Sequence, residues 1–159
     1  MVVVSNQLNS NTMCEVKIVR ATSCDSATAE AITQLLAQLT PTPHHFTERE
    51  FSEVISDPSS ALFLLWEGCK VVGMLTVGAY LSPTGRKLWI EDVVVDNAFR
   101  GRSYGRRLVE HAISCASEQG GTLMLTSKPS RVAANALYRS AGFQPKETNV
   151  YRFPLPAKE

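Results

Sequence analysis

Two groups of residues in this sequence are suited to chemistry, and one follows closely on the other. The first is Glu91 and Asp92, adjacent carboxylates inside the otherwise apolar run LWIEDVVVD. Acidic residues are depleted in strands and costly to desolvate, so a pair held there needs a reason. As strand neighbours their side chains point to opposite faces, which leaves only one of the two to face a cleft. A partly buried Glu91 would have its pKa raised towards neutrality and could serve as a base for an ammonium group, directly or through water, with Asp92 as the alternate. Wet carboxylates on a rim strand are the competing reading. The second group is the segment DNAFRGRSYGRR, where Gly101 and Gly105 let a ligand approach the backbone and Arg100, Arg102, Arg106 and Arg107 surround them. Unpaired amides at a helix start, the positive end of the helix macrodipole and arginine forks together favour a phosphate or pyrophosphate. The segment has neither GK[ST] nor a complete GxGxxG, so neither usual nucleotide fingerprint applies. A solvated basic helix face is the competing reading here; a nucleic-acid surface is disfavoured because aromatic residues do not interleave with the basic ones.

The elements that must position these groups follow from periodicity and punctuation. Glu15 to Ala21 alternates polar and apolar residues as a half-buried strand does. From Asp25 to Leu39, Ile32, Leu35, Leu36 and Leu39 fall at helical spacing behind Ser23 or Asp25 as caps, and Pro41 and Pro43 end the run. Thr47 with Glu50 fits a capping box and Phe46 with Phe51 a hydrophobic staple, predicting a short helix to about Ser56 that buries Phe51, Val54 and Ile55. ALFLLW and VVGMLTVGAY read as a hairpin turning at Glu67 to Lys70, and SPTGRK turns the chain again into LWIEDVVVD. Ser103 to Gln119 carries Tyr104, Leu108, Val109, Ala112, Ile113 and Ala116 on one helix face and stops at Gly120 and Gly121. TLMLTS reads as a buried strand. Ser130 caps a helix that turns Val132, Ala133, Ala136, Leu137 and Ala141 inward and ends at Gly142, and VYRFPL, preceded by Phe143 to Lys146, reads as a last strand. The order β-α-α-β-β-β-α-β-α-β(-β) describes an α/β sheet domain without internal repeats. LWIEDVVVD, the 103–119 helix and TLMLTS form a right-handed βαβ unit with parallel strands, and ligands of such sheets bind in the crevice at the strands' carboxyl ends.

Length and composition bound the rest. The 159 residues correspond to one domain, read as a loose leader at 1–13 and a folded domain at 14–159. With 44% hydrophobic and 19% charged residues the chain is an ordinary globular one, and its net charge of +1 gives no global attraction to nucleic acid or anionic membrane. The apolar stretches fall short of a membrane span and MVVVSNQ lacks a basic n-region, so a cytoplasmic address is expected. Cys14, Cys24, Cys69 and Cys115 are scattered without a CxxC and read as reduced thiols. His44, His45 and His111 lack metal-ligand spacing, so no metal is expected.

With the motifs in hand, VVVDNAFRGRSYGRRLVEHA resembles the coenzyme A pyrophosphate motif, (Q/R)xxGx(G/A), of the GNAT acetyltransferase superfamily, and ANALYRSAGF resembles that superfamily's later helix motif. The resemblance covers Glu15 to about Leu155. It implies a mixed, mostly antiparallel sheet with a splayed parallel strand pair, and acetyl-CoA as cosubstrate without a metal. It also implies a small-molecule or peptide amine as acceptor, with no nucleic-acid or membrane partner, and the late strand as a candidate for pairing in a homodimer. Position by position, the backbone of Val93, Val94 and Val95 would hydrogen-bond pantetheine and Arg100 fills the Q/R position. Amides from Gly101 through Arg102, Ser103, Tyr104 and Gly105 to Arg106 would cradle the diphosphate. Ser103 departs from the family's first glycine; either its backbone adopts an allowed geometry, or the loop holds phosphate differently, with the hydroxyl as a compensating donor. Arg131 stands where many relatives have Asn, and Asn135 lies one turn onward with an amide to offer. Tyr138 matches the family tyrosine whose hydroxyl assists the departing thiolate. The implied reaction is direct acetyl transfer in a ternary complex, the acceptor being unidentified. IEDVVV resembles glucosamine-phosphate N-acetyltransferases, making an amino-sugar phosphate the alternative acceptor, and a non-catalytic coenzyme A binding module is the alternative function.

Overall fold

The computed structural model describes residues 14–42 and 44–156, so the expected leader at 1–13 lies outside the described residues. The chain divides into two compact units, with the boundary between Thr126 and Ser127. In the first, β1 (Val16–Arg20) leads through α1 (Ser26–Leu39) and α2 (Glu48–Ser56) into β2 (Ser60–Glu67), β3 (Lys70–Ser82) and β4 (Gly85–Val95). A 3-10 turn at Asn97–Phe99, α3 (Tyr104–Gln119) and β5 (Thr122–Leu125) complete it, and the second unit holds α4 (Val132–Ser140). The strands lie in the order β1-β2-β3-β4-β5, antiparallel except for the parallel pair β4 and β5.

The local signals act as expected in the first unit. Asp25 caps α1, accepting the Thr28 N–H and hydroxyl at 2.8 Å each, and these bonds hold its carboxyl below the ordinary Asp range. At α2 the capping box is complete: the Thr47 N–H donates to Glu50 at 2.8 Å and the Glu50 N–H to the Thr47 hydroxyl at 3.2 Å. The Phe46 and Phe51 rings sit 5.9 Å apart as the staple. Between β2 and β3 the chain reverses in two residues, with Gly68 at φ +60°, which glycine adopts without penalty.

The sheet is covered on both faces, which is why its central strands read as nearly unbroken apolar runs. One face packs Leu62, Leu64, Met74 and Val94 against Ile32 and Leu35 of α1 and Phe51 of α2. The alternate residues face α3, where the His111 ring meets Phe63 edge-on at 4.7 Å and Leu108 lies beside Gly73. Each such buried side chain contributes about 1.5–3 kcal/mol.

Three expectations are corrected. β5 is an edge strand shorter than TLMLTS, and its residues are partly exposed. α4 begins after Arg131 instead of Ser130 and has no side-chain cap. Its Val132 is 74% exposed, with Ala133 and Ala136 also in solvent, while Ala134, Leu137, Tyr138 and Ala141 are partly covered. Alanines on every side of this helix give little contrast between faces, so the pattern alone could not orient it. No strand forms in 144–156; Val150, Tyr151, Phe153 and Leu155 are largely exposed, and Pro154 has no N–H to offer a ladder.

Candidate active site

β4 pairs with β3 along its length but with β5 only from Lys87 to Ile90, so Glu91 to Val95 have no strand on that side among the described residues. Within the same stretch the register with β3 slips. Met74 opposes Val94 and Thr76 opposes Glu91, which leaves Asp92 and Val93 facing Leu75 alone. This is a β-bulge, and Asp92 takes it up at φ +52°, a left-handed conformation that Asp tolerates better than most residues. Gly73 lets β3 close on it: a Cβ there would stand 3.0 Å from the Val94 carbonyl oxygen. The bulge interrupts the alternation from which opposite faces for Glu91 and Asp92 were expected. Glu91 pairs with Thr76 and Thr76 with Leu62, which puts Glu91 on the face covered by α1 and α2.

Both carboxylates are exposed, and among the described residues neither has a hydrogen-bond or ion-pair partner. Solvent reaches them, yet nearby protein displaces part of their hydration and pushes both pKa values up; the negative charge of Asp92 raises Glu91 further. An unpartnered carboxylate with a raised pKa has the profile of a proton acceptor.

Beyond β4 the chain enters the arginine-rich loop. The Asn97 N–H donates to the Gln38 side chain of α1 at 2.8 Å, and Asp96 accepts the Ala98 N–H at 2.9 Å. Ser103 then turns the chain into α3 at φ 60°, ψ 16° and makes no side-chain cap bond. Of the alternatives open for this serine, the structure shows a left-handed backbone, at a cost of about 1 kcal/mol. Arg107 is the first residue whose N–H closes onto the loop, donating to the Ser103 carbonyl at 3.0 Å, so the amides of Tyr104 and Gly105 have no helical partner. Such amides at the positive end of a helix form an anion site.

The arginines hold the loop itself. Arg100 Nε donates to the Val95 carbonyl at 3.3 Å, Arg106 pairs with Glu110 at 2.9 Å, and Arg107 donates to the Val16 carbonyl at 3.0 Å. Arg102 Nη1 reaches both oxygens of Glu67, at 2.8 and 3.1 Å, and the Tyr104 hydroxyl donates to the same carboxylate at 2.9 Å. Glu67 is a residue that sequence reasoning missed. It lies 35 residues before Arg102, and nothing local marks it.

In the second unit, Asn135 Nδ2 donates to the carbonyls of Lys128 at 2.8 Å and Arg131 at 2.9 Å, which engages the amide expected to face the ligand. Tyr138 packs edge-on to Phe143 with 6.1 Å between ring centres. Burial raises its hydroxyl pKa, and Arg131 partly offsets the rise.

Residues 29–143 match the family model of the acetyltransferase (GNAT) family. The chain belongs to this GNAT family. It is 31% identical over 122 residues to N-alpha-acetyltransferase RimI of Mycobacterium tuberculosis strain H37Rv, covering 74% of this chain and 73% of the relative. Among solved structures, a protein of Agrobacterium tumefaciens strain C58 described as an acetyltransferase superposes with a TM-score of 0.76 at 26% identity, over 87% of this chain and 99% of the other. Glucosamine-6-phosphate N-acetyltransferase from Arabidopsis thaliana gives 0.73 at 24% identity, over 87% and 98%, and shows the shared fold. GNAT proteins are acyltransferases that use acetyl-CoA, and this GNAT chain has their sheet order with the parallel pair at β4 and β5. Among the described residues no helix is long and apolar enough to cross a membrane, and no group of three or more His, Cys, Asp or Glu could hold a metal ion.

Proposed function

We propose that the protein transfers an acetyl group from acetyl-CoA to a primary amine. The observation that carries this reading is the end of the parallel pairing at Ile90, which leaves 91–95 of β4 without a strand partner on that side just ahead of the left-handed turn that starts α3. Val95 stands opposite Gly73 in a pair without mutual hydrogen bonds, since the flanking Asp96 N–H donates to Val72 at 2.9 Å. Its polar groups therefore point to the open side, where the carbonyl accepts Arg100 Nε at 3.3 Å and the N–H suits a carbonyl of a pantetheine arm, while Val94, opposite Met74, turns its own polar groups to β3. The amides of Tyr104 and Gly105 suit a diphosphate. The bound cosubstrate supplies an activated thioester; the chain positions it and manages protons.

Glu91 removes the proton from the incoming ammonium, because an ammonium has no lone pair with which to attack; partial burial, and after it the charge of Asp92, raises the Glu91 pKa in the direction a base needs. In the second unit, burial keeps the Tyr138 phenol protonated, the form that the family resemblance calls for in a donor to thiolate. The name of the M. tuberculosis relative supports placing peptide α-amines first among acceptors, with amino-sugar phosphates second. The test is coenzyme A release across a panel of such amines. Release with one amine class, strongly slowed in Glu91→Gln, is expected; coenzyme A that neither stabilises the protein nor is released with any amine overturns the reading.

A further inference from the structure

We propose that Glu67 is a positioning residue for coenzyme A binding: a carboxylate at the β2–β3 turn that clamps the diphosphate loop and takes Arg102 and Tyr104 as its struts. The inference rests on the reading of that loop as the diphosphate site. Glu67 closes a two-residue hairpin, and antiparallel pairing with Lys70 on one side and Val16 on the other fixes its backbone. Its side chain is only 18% exposed. Both carboxylate oxygens receive Arg102, and one also receives the Tyr104 hydroxyl; Tyr104 is itself 93% removed from solvent, being 7% exposed. Burial and this bond to Glu67 push the Tyr104 hydroxyl pKa up, so it remains a donor. The Phe99 ring completes the clamp, with Lys70 Nζ 4.8 Å and the Arg102 guanidinium carbon 5.0 Å from its centre.

The two struts flank Ser103 on either side. A serine in the left-handed region lacks the freedom of glycine, so the turn needs outside support to hold its amides convergent. Arg102 and Tyr104 supply that support by tying both neighbours of Ser103 to one rigid hairpin. Arg102 thereby acts on the loop's shape through Glu67, and direct contact with phosphate falls to the amides of Tyr104 and Gly105.

The experiment compares coenzyme A with pantetheine, which has the same thiol arm and no diphosphate, by calorimetry on the wild type, Glu67→Ala and Tyr104→Phe. For Glu67→Ala the expected result is about tenfold weaker coenzyme A binding, the factor that corresponds to ~1.4 kcal/mol and to loss of a hydrogen-bonded charged group. Pantetheine binding should stay unchanged. Tyr104→Phe removes one hydroxyl only and should weaken coenzyme A about two- to threefold, which keeps the test decisive if Glu67→Ala does not fold. Equal losses for both ligands, or no loss in either variant, overturn the clamp. A wild type that binds no coenzyme A overturns instead the reading of the loop on which the clamp rests.

Discussion

The two chemically distinctive regions of this molecule sit at the same end of β4 and are built on opposite rules. In the arginine-rich loop every arginine donates to a protein acceptor, and a half-buried carboxylate, a phenol and an aromatic ring brace one strained serine. Nine and eight residues before Arg100, the carboxylates of Glu91 and Asp92 have no partner among the described residues and are exposed, with raised pKa values. A site that recognises a constant group gains from convergent donors held ready, whereas a base gains from keeping its proton affinity, which any ion pair would lower.

The largest expected effect comes from breaking the carboxylate side. Glu91→Gln should lower kcat about 10²- to 10⁴-fold, the usual range for loss of a general base. It should not lower the melting temperature at neutral pH. The folded-state pKa of Glu91 is raised, so its favourable contribution to stability is present below the ordinary 4.5 and is lost as pH rises through the folded value. Removing the charge thus relieves a cost at pH 7, and a thermal melt beside the rate measurement checks both signs.

Next in size is Asp92→Asn, which sharpens the division of labour. The acid limb of the pH–rate profile reports protonation of the base, at a pH above 4.5. Because Asp92 raises the Glu91 pKa, its neutralisation should shift that limb to lower pH while leaving most of kcat at neutral pH. A loss as large as that of Glu91→Gln would make Asp92 the base.

The smallest effect belongs to the braced loop. Ser103→Gly places the unstrained residue at φ 60° and should stabilise the fold by ~0.5 kcal/mol, an increase of about 2 °C in melting temperature. Coenzyme A affinity should stay within about twofold, since the struts already fix the turn. A large gain in affinity would show that the serine, and not the clamp, governs the loop.

What the sequence reveals of this architecture divides along the range of the forces involved. Thr47 with Glu50, Asp25, and the 3.6- and 2-residue periods are local signals, and the elements they predict form through α3. The bulge at Asp92 carries no glycine or turn signal; it arises from β3 closing over Gly73, a non-local packing event. The arginines of the loop were legible as a cluster, but their acceptors at Glu67, Val16 and Val95 come from strands and turns distant in sequence or backbone groups with no identity to read. α4 was misoriented because alanine marks neither an inside nor an outside face.

Amide hydrogen–deuterium exchange with and without coenzyme A measures the central claim at the backbone groups that embody it. Protection on adding coenzyme A should appear in the segments containing 93–95 and 104–106, and weaken at the loop but persist along β4 in Glu67→Ala. Protection confined to other segments, with β4 and the start of α3 exchanging as fast as before, would contradict the account.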